Sequence, residues 1–305
     1  MATVNDCICE IGGLGNLGHP NCVPKFGVIS SLIFVPLKAN DGTLNRINTA
    51  TVVTSTTFTA LTQHIDPSKR WYPSPTFENV EMIPSESQKE ESASGRVSTL
   101  RKGKLSFKGE LWYEDSTPQT QGKLEKYSCQ DFGVYLVDDL GNLKGSLNGT
   151  FLDPIPVESS SLDVLFNFKK DDTTQKLMVM FDVKRNFRTS TLRMISSSEG
   201  LVDFGTLEGL IDANIALSSI TTTGFVATIT TDYGTALTDG KVKGQFLADF
   251  SLYNDTDSAL IVPTSIVETA DGVYTAVMPA QTVTDKFTVS LLPSSGFVGE
   301  KQGTI

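Results

Sequence analysis

The stretch that most constrains the fold is an alternating segment that follows a long polar loop. Leu105, Phe107 and Leu111 fall on one face of this segment, whereas lysines and a glutamate fall on the other. A period of two with aromatic residues is typical of a half-buried β-strand. We therefore predict one strand over residues 97–114. The preceding residues 84–95 hold three glutamates and four serines but no large apolar side chain.

The polar loop extends upstream to an aromatic and proline-rich elbow, so that it covers residues 66–96. A loop of this length is uncommon in a compact domain, and it is usually functional or disordered in isolation. We interpret it as an arm that becomes ordered against another subunit. Trp71 and Tyr72 could stack on a sugar or a base, but packing against protein is favoured because large aromatic residues anchor interfaces. The predicted inter-subunit contacts are Trp71, Tyr72, Glu86, Glu90, Glu91 and Arg96.

Short apolar runs separated by polar turns fill the rest of the first 205 residues, which predicts a mainly β protein. We expect an antiparallel β-sandwich or barrel with one or two short helices over residues 28–205, preceded by an N-terminal arm at 1–27. Residues 186–206 have the composition of a polar link. The predicted strands are 28–37, 49–57, 97–114, 133–138, 143–152, 161–168 and 176–183, and the predicted helices are 58–65 and 122–130.

The last hundred residues, 206–305, show a second pattern of short strands divided by Gly, Asp, Asn or Pro. Six or seven such strands in about 90 residues are typical of an immunoglobulin-like β-sandwich. The cysteine pair of antibody domains is absent. The candidate strands are 212–219, 224–231, 241–252, 259–267, 272–279 and 285–292.

The charge distribution is uneven and acidic. The formal net charge is −10; residues 206–305 hold 11 acids and 4 lysines, net −7, which leaves −3 for residues 1–205. An acidic chain does not attract nucleic-acid phosphates, so we expect no specific DNA binding. No run approaches the roughly 18 apolar residues of a membrane span. The N-terminus lacks a basic segment followed by an apolar core, so we expect no signal peptide.

Catalytic motifs are absent from the sequence, so we predict no enzymatic activity and no cofactor. His19 and His64 are the only histidines, and nothing resembles a serine nucleophile elbow or a metalloprotease helix. The neighbouring acids Asp138-Asp139 and Asp171-Asp172 are interpreted as solvated turn residues rather than as paired catalytic carboxylates or a calcium site.

Two features of the N-terminal residues can be interpreted either as parts of a plain arm or as a ligand-binding site. Residues 13–18 fit the pattern G-x-G-x-x-G, but Pro20 and Pro24 block the helix that nucleotide binding requires, so a plain arm is favoured. Cys7, Cys9, His19 and Cys22 could form a Cys₃His zinc site, although their spacing is not that of a familiar zinc knuckle. We predict reduced thiols without metal and keep zinc as the alternative.

The segment 78–115 and the strand–turn–strand at 133–152 resemble the tail tube proteins of long-tailed bacteriophages. Residues 271–276 and 285–289 are similar to bacterial immunoglobulin-like domains, which such proteins often carry outside the tube. The resemblance implies a ring-forming homo-oligomer, in that family a hexamer, whose long loop and N-terminal arm reach the next ring. It also implies a virion protein assembled in the bacterial host cytoplasm, with other virion proteins as partners and DNA passing without specific binding.

One departure and two alternatives accompany this resemblance. The lumen of that family is typically acidic, whereas here most of the excess acid lies in residues 206–305. The first alternative is another virion structural protein, such as a head decoration, fibre or connector protein, because such proteins share these sequence features. A carbohydrate-binding surface protein is the alternative from a different class.

Overall fold

The computed structural model describes residues 26–51, 54–101, 103–200, 202–235 and 237–305. The fold is mainly β, with antiparallel sheets, as predicted. Helices are short in the described residues: α1 (Ser55–Thr62), α2 (Pro118–Glu125) and α3 (Ser197–Gly200).

The strands before residue 200 form the first unit. In chain order they are β1 (Ile29–Pro36), β2 (Ile47–Asn48), β3 (Tyr72–Pro73), β4 (Glu78–Pro84), β5 (Gln88–Glu91), β6 (Val97–Arg101), β7 (Leu105–Trp112), β8 (Phe132–Asp138), β9 (Leu143–Asn148), β10 (Phe151–Asp153), β11 (Ile155–Pro156), β12 (Asp163–Asn167), β13 (Lys176–Asp182) and β14 (Leu192–Ile195). Sheet I has the order β2-β10-β9-β8-β1-β3, with β11 on β8 and β14 on β9. Sheet II has the order β12-β13-β7-β4, and β5 pairs with β6 alone.

Sheet I is covered on both faces, which explains why all seven residues of β8 are buried. One face of β1 and β8 contributes to a core shared with sheet II, through Leu32, Phe34, Val134 and Leu136. The other face packs under α1 and the segment after α3, through Ile33, Val35, Tyr135 and Val137. Strands buried on both sides show continuous apolar runs instead of alternation.

Helix starts and one strand were predicted wrongly. Residues 49–57 were predicted as a strand, but α1 begins at Ser55, because the Thr54 hydroxyl accepts from the Thr57 backbone N–H at 3.3 Å and caps the helix. α2 begins at Pro118 rather than at 122, after the same kind of cap by Thr117. Proline suits the first helical position, since no hydrogen bond is lost there.

The prediction of a single strand over 97–114 and of a polar link over 186–206 also needs correction. Two strands, β6 and β7, replace the single strand, and residues 103–104 separate them. Within the presumed link, β14 joins sheet I, and Val202 and Phe204 are buried in its core. The apolar residues of that segment are few, so composition concealed them. The domain boundary at 205/206 stays a prediction.

The second unit follows, as a sandwich of two sheets. Its strands are β15 (Ile211–Thr221), β16 (Gly224–Thr235), β17 (Thr238–Lys241), β18 (Phe250–Asn254), β19 (Ala259–Ile261), β20 (Ser265–Ala270), β21 (Val273–Val277), β22 (Lys286–Leu291) and β23 (Phe297–Thr304). One sheet runs β15-β16-β21-β20 and the other β19-β18-β22-β23. This order matches the A-B-E-D and C-F-G order of immunoglobulin-like sandwiches, and the predicted β-sandwich class is confirmed. The last strand, β23, was not predicted.

The two units have separate hydrophobic cores and touch beside α2. The core of the second unit consists of residues between 213 and 305. At the contact, Lys123 of α2 forms an ion pair with Asp212 at 3.2 Å and lies over the ring of Tyr233. In the described ranges no helix has the length and apolarity to cross a membrane.

Candidate assembly surface

Sheet II has one buried face and one open face. Along β7 and β13 every second residue is buried, among them Phe107, Leu111, Val179 and Phe181. The residues between them form the open face, because side chains alternate across a strand. The open face is defined by Glu81 and Ile83 of β4, Ser106, Lys108, Glu110 and Trp112 of β7, Lys176, Met178, Met180 and Asp182 of β13, and Asp163, Leu165 and Asn167 of β12.

Ion pairs neutralise lysines on and beside this face. Lys176 contacts Glu110 at 2.9 Å, and Lys104 contacts Asp182 at 2.6 Å. Glu110 also accepts from the indole N–H of Trp112 and the amide of Asn79, both at 2.9 Å. Burial tends to raise the pKa of Glu110 and of Asp182, but the hydrogen bonds and the lysines outweigh it and lower both pKa values. Both carboxylates therefore stay charged at neutral pH.

Within the described residues, the outer strands of sheet II, β12 and β4, each have one edge without a strand partner. Leu165 is 44% exposed on β12, and Phe168, just beyond it, is 79% exposed. Lys169 and Lys170 follow, whereas β4 carries Glu78 and Glu81. A strand edge without a partner strand is a template for pairing with another chain, although the Gln121 amide of α2 already donates to the Val164 carbonyl of β12 at 3.1 Å. The two edges carry opposite charges.

The predicted loop is a hairpin arm, defined as residues 84–104. Instead of one loop over 66–96, the structure has β3 and β4 in this range, and β5 pairs with β6 beyond them. The arm continues the β4–β7 pair: Ser85 N–H donates to the Lys104 carbonyl at 2.7 Å, and Lys104 N–H donates to the Ser85 hydroxyl at 2.7 Å. Any Cβ at Gly103 would collide with the Ser85 carbonyl oxygen, so glycine is required at this point. The residues of this segment are mostly polar, so their alternation was too weak to predict the strands of the arm.

Four of the six predicted contact residues lie on this arm. Residues 83–98 are all exposed, and they include Glu86, Glu90, Glu91 and Arg96. At the tip, Ser92 N–H donates to the Arg96 carbonyl at 2.9 Å and closes the turn. From residue 85 to residue 94 the arm spans nine residue steps, which corresponds to about 30 Å at the rise of an extended strand. A two-stranded hairpin without a packed face is only marginally stable in water.

The structure places Trp71 and Tyr72 elsewhere. Trp71 is 1% exposed and stacks on Tyr135 with ring centroids 4.9 Å apart, so it belongs to the core of sheet I and offers no side chain to a partner. The prediction of a contact through Trp71 is therefore wrong, because sequence pattern does not tell a core aromatic from an exposed one. Tyr72 is half-buried, and its hydroxyl donates to the Pro67 carbonyl at 2.9 Å.

A buried ion pair holds the start of β1. Asp138 and Lys144 are 3.1 Å apart, and their side chains are 0% and 3% exposed. Asp138 accepts from the Gly27 N–H at 3.1 Å, and Lys144 donates to the Gly27 carbonyl at 2.9 Å. Any Cβ at Gly27 would collide with the Asp139 carboxylate. Together Asp138, Lys144 and Gly27 form what we call the clasp.

The clasp corrects the interpretation of Asp138 as a solvated turn residue. Burial tends to raise the pKa of Asp138, but hydrogen bonds from Asn142 and the ammonium of Lys144 outweigh it and lower the pKa. The signal that could have found this pair is a charged residue at the end of a wholly apolar strand, with a lysine shortly after the turn. The clasp holds Gly27, just before β1, to the first unit.

The structure describes only some of the residues on which the metal and thiol predictions depend. Cys7, Cys9, His19 and Cys22, and with them the glycine motif at 13–18, lie outside the described residues. Within the described ranges no three His, Cys, Asp or Glu side chains are grouped to hold a metal ion. Cys129 is free and exposed. The absence of a cofactor, of metal and of enzymatic activity stays a prediction.

No protein-family model matches the chain, and no curated protein matches its sequence.

Proposed function

We propose that this protein is a self-assembling structural subunit that forms stacked rings, as in the tail tube of a long-tailed bacteriophage. The observation that carries the proposal is sheet II: its one face is buried, its other face is open, and its two edges have no partner strand in the described part of the chain. Pairing β12 of one copy with β4 of the next is a heterologous contact. Such contacts close into a ring when the rotation between copies allows it.

Closure of the ring has a physical driving force. It pairs the backbone groups of both edges and covers Leu165 and Phe168, which are exposed in the single chain. It also brings the lysines at 169–170 toward the neighbour's glutamates at 78 and 81, which favours the correct register. The open face of sheet II then lines the inside of the ring.

The charges of the open face suit a passage for DNA. Lys176 is neutralised by a carboxylate on the face, and Lys104 beside the face by another. Phosphates are gripped by unpaired lysine and arginine. Lys108 of the open face forms no ion pair in the described residues, but Glu81 lies opposite it on β4, so the lining offers a polyanion little to hold. One structural feature supports stacking of rings, namely the exposed hairpin arm.

Electron microscopy of the purified protein, with one edge variant and one matched control, tests the proposal. We expect rings or tubes from the unmodified protein at high concentration and only single particles from Phe168→Asp. Ile65→Asp is the control, since Ile65 is also exposed, at 74%, but lies away from both edges. Unmodified protein that stays monomeric, or Phe168→Asp protein that still forms rings, would contradict edge pairing.

The alternatives make different predictions in the same experiment. Separate oligomers that never stack would favour a head decoration, fibre or connector protein. For a carbohydrate-binding protein, Trp71 is no longer a candidate for stacking on a sugar, because its ring is buried. Glycan-array hits that disappear on mutation of Tyr72 or of the second unit would favour that class.

A further inference from the structure

A cavity of about 300 Å³ lies beside α2, where the two units touch. Its wall combines apolar side chains of the first unit with a few charged and hydroxyl groups, and residues 209–212 and Tyr233 of the second unit border it. Cavities of this composition at the contact of two domains are a common location of small-molecule sites. The apolar part of the wall is formed by Phe34, Tyr72, Pro73, Phe77, Leu111 and Leu124.

One residue of the wall is a buried cation without a counter-charge. Arg70 is 6% exposed, and it forms no ion pair in the described residues. Its Nε donates to the His64 carbonyl at 2.7 Å and its Nη2 to the Ile65 carbonyl at 3.0 Å, but these acceptors are neutral. Nη1 donates to no described residue, and it is not among the fully buried, unpartnered side-chain atoms, so it retains accessible surface. Arginine is rarely buried to this extent unless it is paired, and an anion in the cavity would supply the missing charge.

A hydroxyl without a partner lies in the same wall. Tyr127 lines the cavity, and its hydroxyl forms no hydrogen bond with a described residue. The ring of Tyr127 is fixed by Phe34 and Tyr72, at centroid distances of 5.3 and 5.9 Å. Burial raises the pKa of Tyr127 well above its usual range, with a smaller contribution from Asp212, whereas the charge of Arg70 acts in the opposite direction. The hydroxyl is therefore protonated at neutral pH and can donate to an anion.

The cavity is positively charged in an acidic chain. Its charged residues are Arg70, Lys123, Lys126 and Asp212, three cations and one carboxylate, which gives a formal charge of +2. Lys123 is paired with Asp212 at 3.2 Å, whereas Lys126 has no ion pair in the described residues. The whole chain has a formal net charge of −10. The positive charge is thus a local feature, and it raises the concentration of anions at this cavity.

We propose that this cavity binds a small organic anion that has one carboxylate or phosphate group on an apolar body. The anionic group accepts hydrogen bonds from Nη1 of Arg70 and from the Tyr127 hydroxyl, and the body packs on the apolar part of the wall. Such charge-assisted hydrogen bonds are stronger than neutral ones. An inorganic anion would leave the apolar wall uncovered, and a neutral apolar compound would leave Arg70 unpaired. None of the cavity residues belongs to β4, β12 or the arm, so the site is independent of ring formation.

A matched set of probes tests the site on the unmodified full chain by isothermal titration calorimetry. Phenylacetate carries both proposed groups, phenylacetamide lacks the charge, acetate lacks the apolar body, and phenyl phosphate replaces the carboxylate by a phosphate. We expect the better of the two aromatic anions to bind at least about tenfold more tightly than the amide and acetate, because a hydrogen bond to a charged group contributes that factor or more. Which aromatic anion binds more tightly identifies the ligand as a carboxylate or a phosphate. Equal binding of the amide, or no binding of either aromatic anion at millimolar concentration, would overturn the proposal.

Two tyrosine variants give a matched comparison. Tyr127→Phe removes a hydroxyl that has no partner in the described structure, so the melting temperature should stay the same while the affinity for the anion falls several-fold. Tyr135→Phe removes a hydroxyl that donates to the Leu152 carbonyl at 2.7 Å outside the cavity, so it should lower the melting temperature and leave the affinity unchanged. Arg70→Gln should abolish binding, but it also removes the bonds to residues 64–65, and the tyrosine pair decides the question if this variant does not fold. Unchanged affinity in Tyr127→Phe, or an equal loss in both tyrosine variants, would contradict the assigned site.

Discussion

The two β-sandwiches of this chain complete their sheets in different ways. In the second unit β15 pairs antiparallel with β16 and parallel with β23, so one strand joins both sheets and closes one side of the sandwich. In sheet II of the first unit the outer strands β12 and β4 have no further partner in the described residues, and β4 runs into the hairpin arm. The second unit also ends in outer strands without a further partner, β19 and β20, so the difference lies in the strand that joins its two sheets and in the arm that extends sheet II.

The two units also differ in how their charged side chains are paired. Three buried or half-buried carboxylates of the first unit, Asp138, Glu110 and Asp182, are each paired with a lysine. In the second unit the ion pair between Lys243 and Asp271 is exposed, at 56% and 66%. Exposed pairs contribute little to stability. The second unit also buries a carboxylate, Asp285, but holds it with hydrogen bonds from the Asn254 amide and the Thr282 N–H instead of with a lysine.

The largest expected effect comes from removing the arm. Replacing residues 86–103 by Asn-Gly joins Ser85 and Lys104, which are already hydrogen-bonded, through a two-residue turn. Assembly into stacks should be lost, because the arm contact is gone. The melting temperature of the single subunit should change little, since shortening a surface loop alters the closure entropy only modestly.

Paired measurements separate the two roles of the arm. Thermal melting reports the subunit fold, and particle length by electron microscopy reports stacking. Long tubes from the shortened protein would show that the arm does not stack rings. Loss of folding would show that the arm belongs to the core of the first unit.

The next largest effect is expected at the clasp. Asp138→Asn leaves Lys144 buried without a counter-charge, and such losses typically cost about 3–5 kcal/mol of unfolding free energy. Asp139→Asn is the control, because Asp139 is exposed and its carboxylate forms no ion pair in the described structure, so it should change stability by less than about 0.5 kcal/mol. Urea denaturation of both variants measures the difference.

The pH dependence of the clasp gives a further test of the same variant. The pKa of Asp138 is lower in the folded than in the unfolded protein, so its contribution is present above the unfolded value of about 4 and is lost as the pH falls through the folded value. The gap between unmodified protein and Asp138→Asn should therefore be widest near neutral pH and narrow in acid. A gap that is independent of pH would contradict a charged clasp.

A smaller effect is expected on the open face. Glu110→Gln with Asp182→Asn releases Lys176 and Lys104 from their carboxylates, and weak binding of duplex DNA should appear that rising salt removes. The control is Glu90→Gln with Glu91→Gln, which makes the same change of charge on the arm without freeing a paired lysine. Fluorescence anisotropy with a short duplex distinguishes them. Equal binding by both variants would assign the effect to net charge alone.

The smallest effect on assembly is expected from deleting residues 207–305. The deletion removes Asp212, the exposed ion-pair partner of Lys123, and exposed pairs of this kind contribute about 0–1 kcal/mol to stability. Of the residues in the two core clusters on either side of sheet I, it removes only Leu207. Residues 1–206 should stay soluble and form rings. Aggregation of the shortened chain, or loss of rings, would show that the second unit completes the first.

The sequence alone determined the fold class and most strands. Alternation predicted the buried face of β7, because every second residue of a half-buried strand is apolar. Short strands at regular spacing predicted the second sandwich for the same reason. The four exposed arm residues were found because composition excludes a core role for them.

Only the tertiary structure decided which residues with the same predicted role are buried or paired and which are exposed. Trp71 is buried and Glu91 is exposed, Asp138 is paired and Asp139 is not, and the polar loop is a hairpin in line with β4 and β7. Each of these outcomes depends on a partner distant in sequence, such as Tyr135 for Trp71. Local pattern records which face a residue prefers, but the identity of the neighbour across that face is set only when the strands pair.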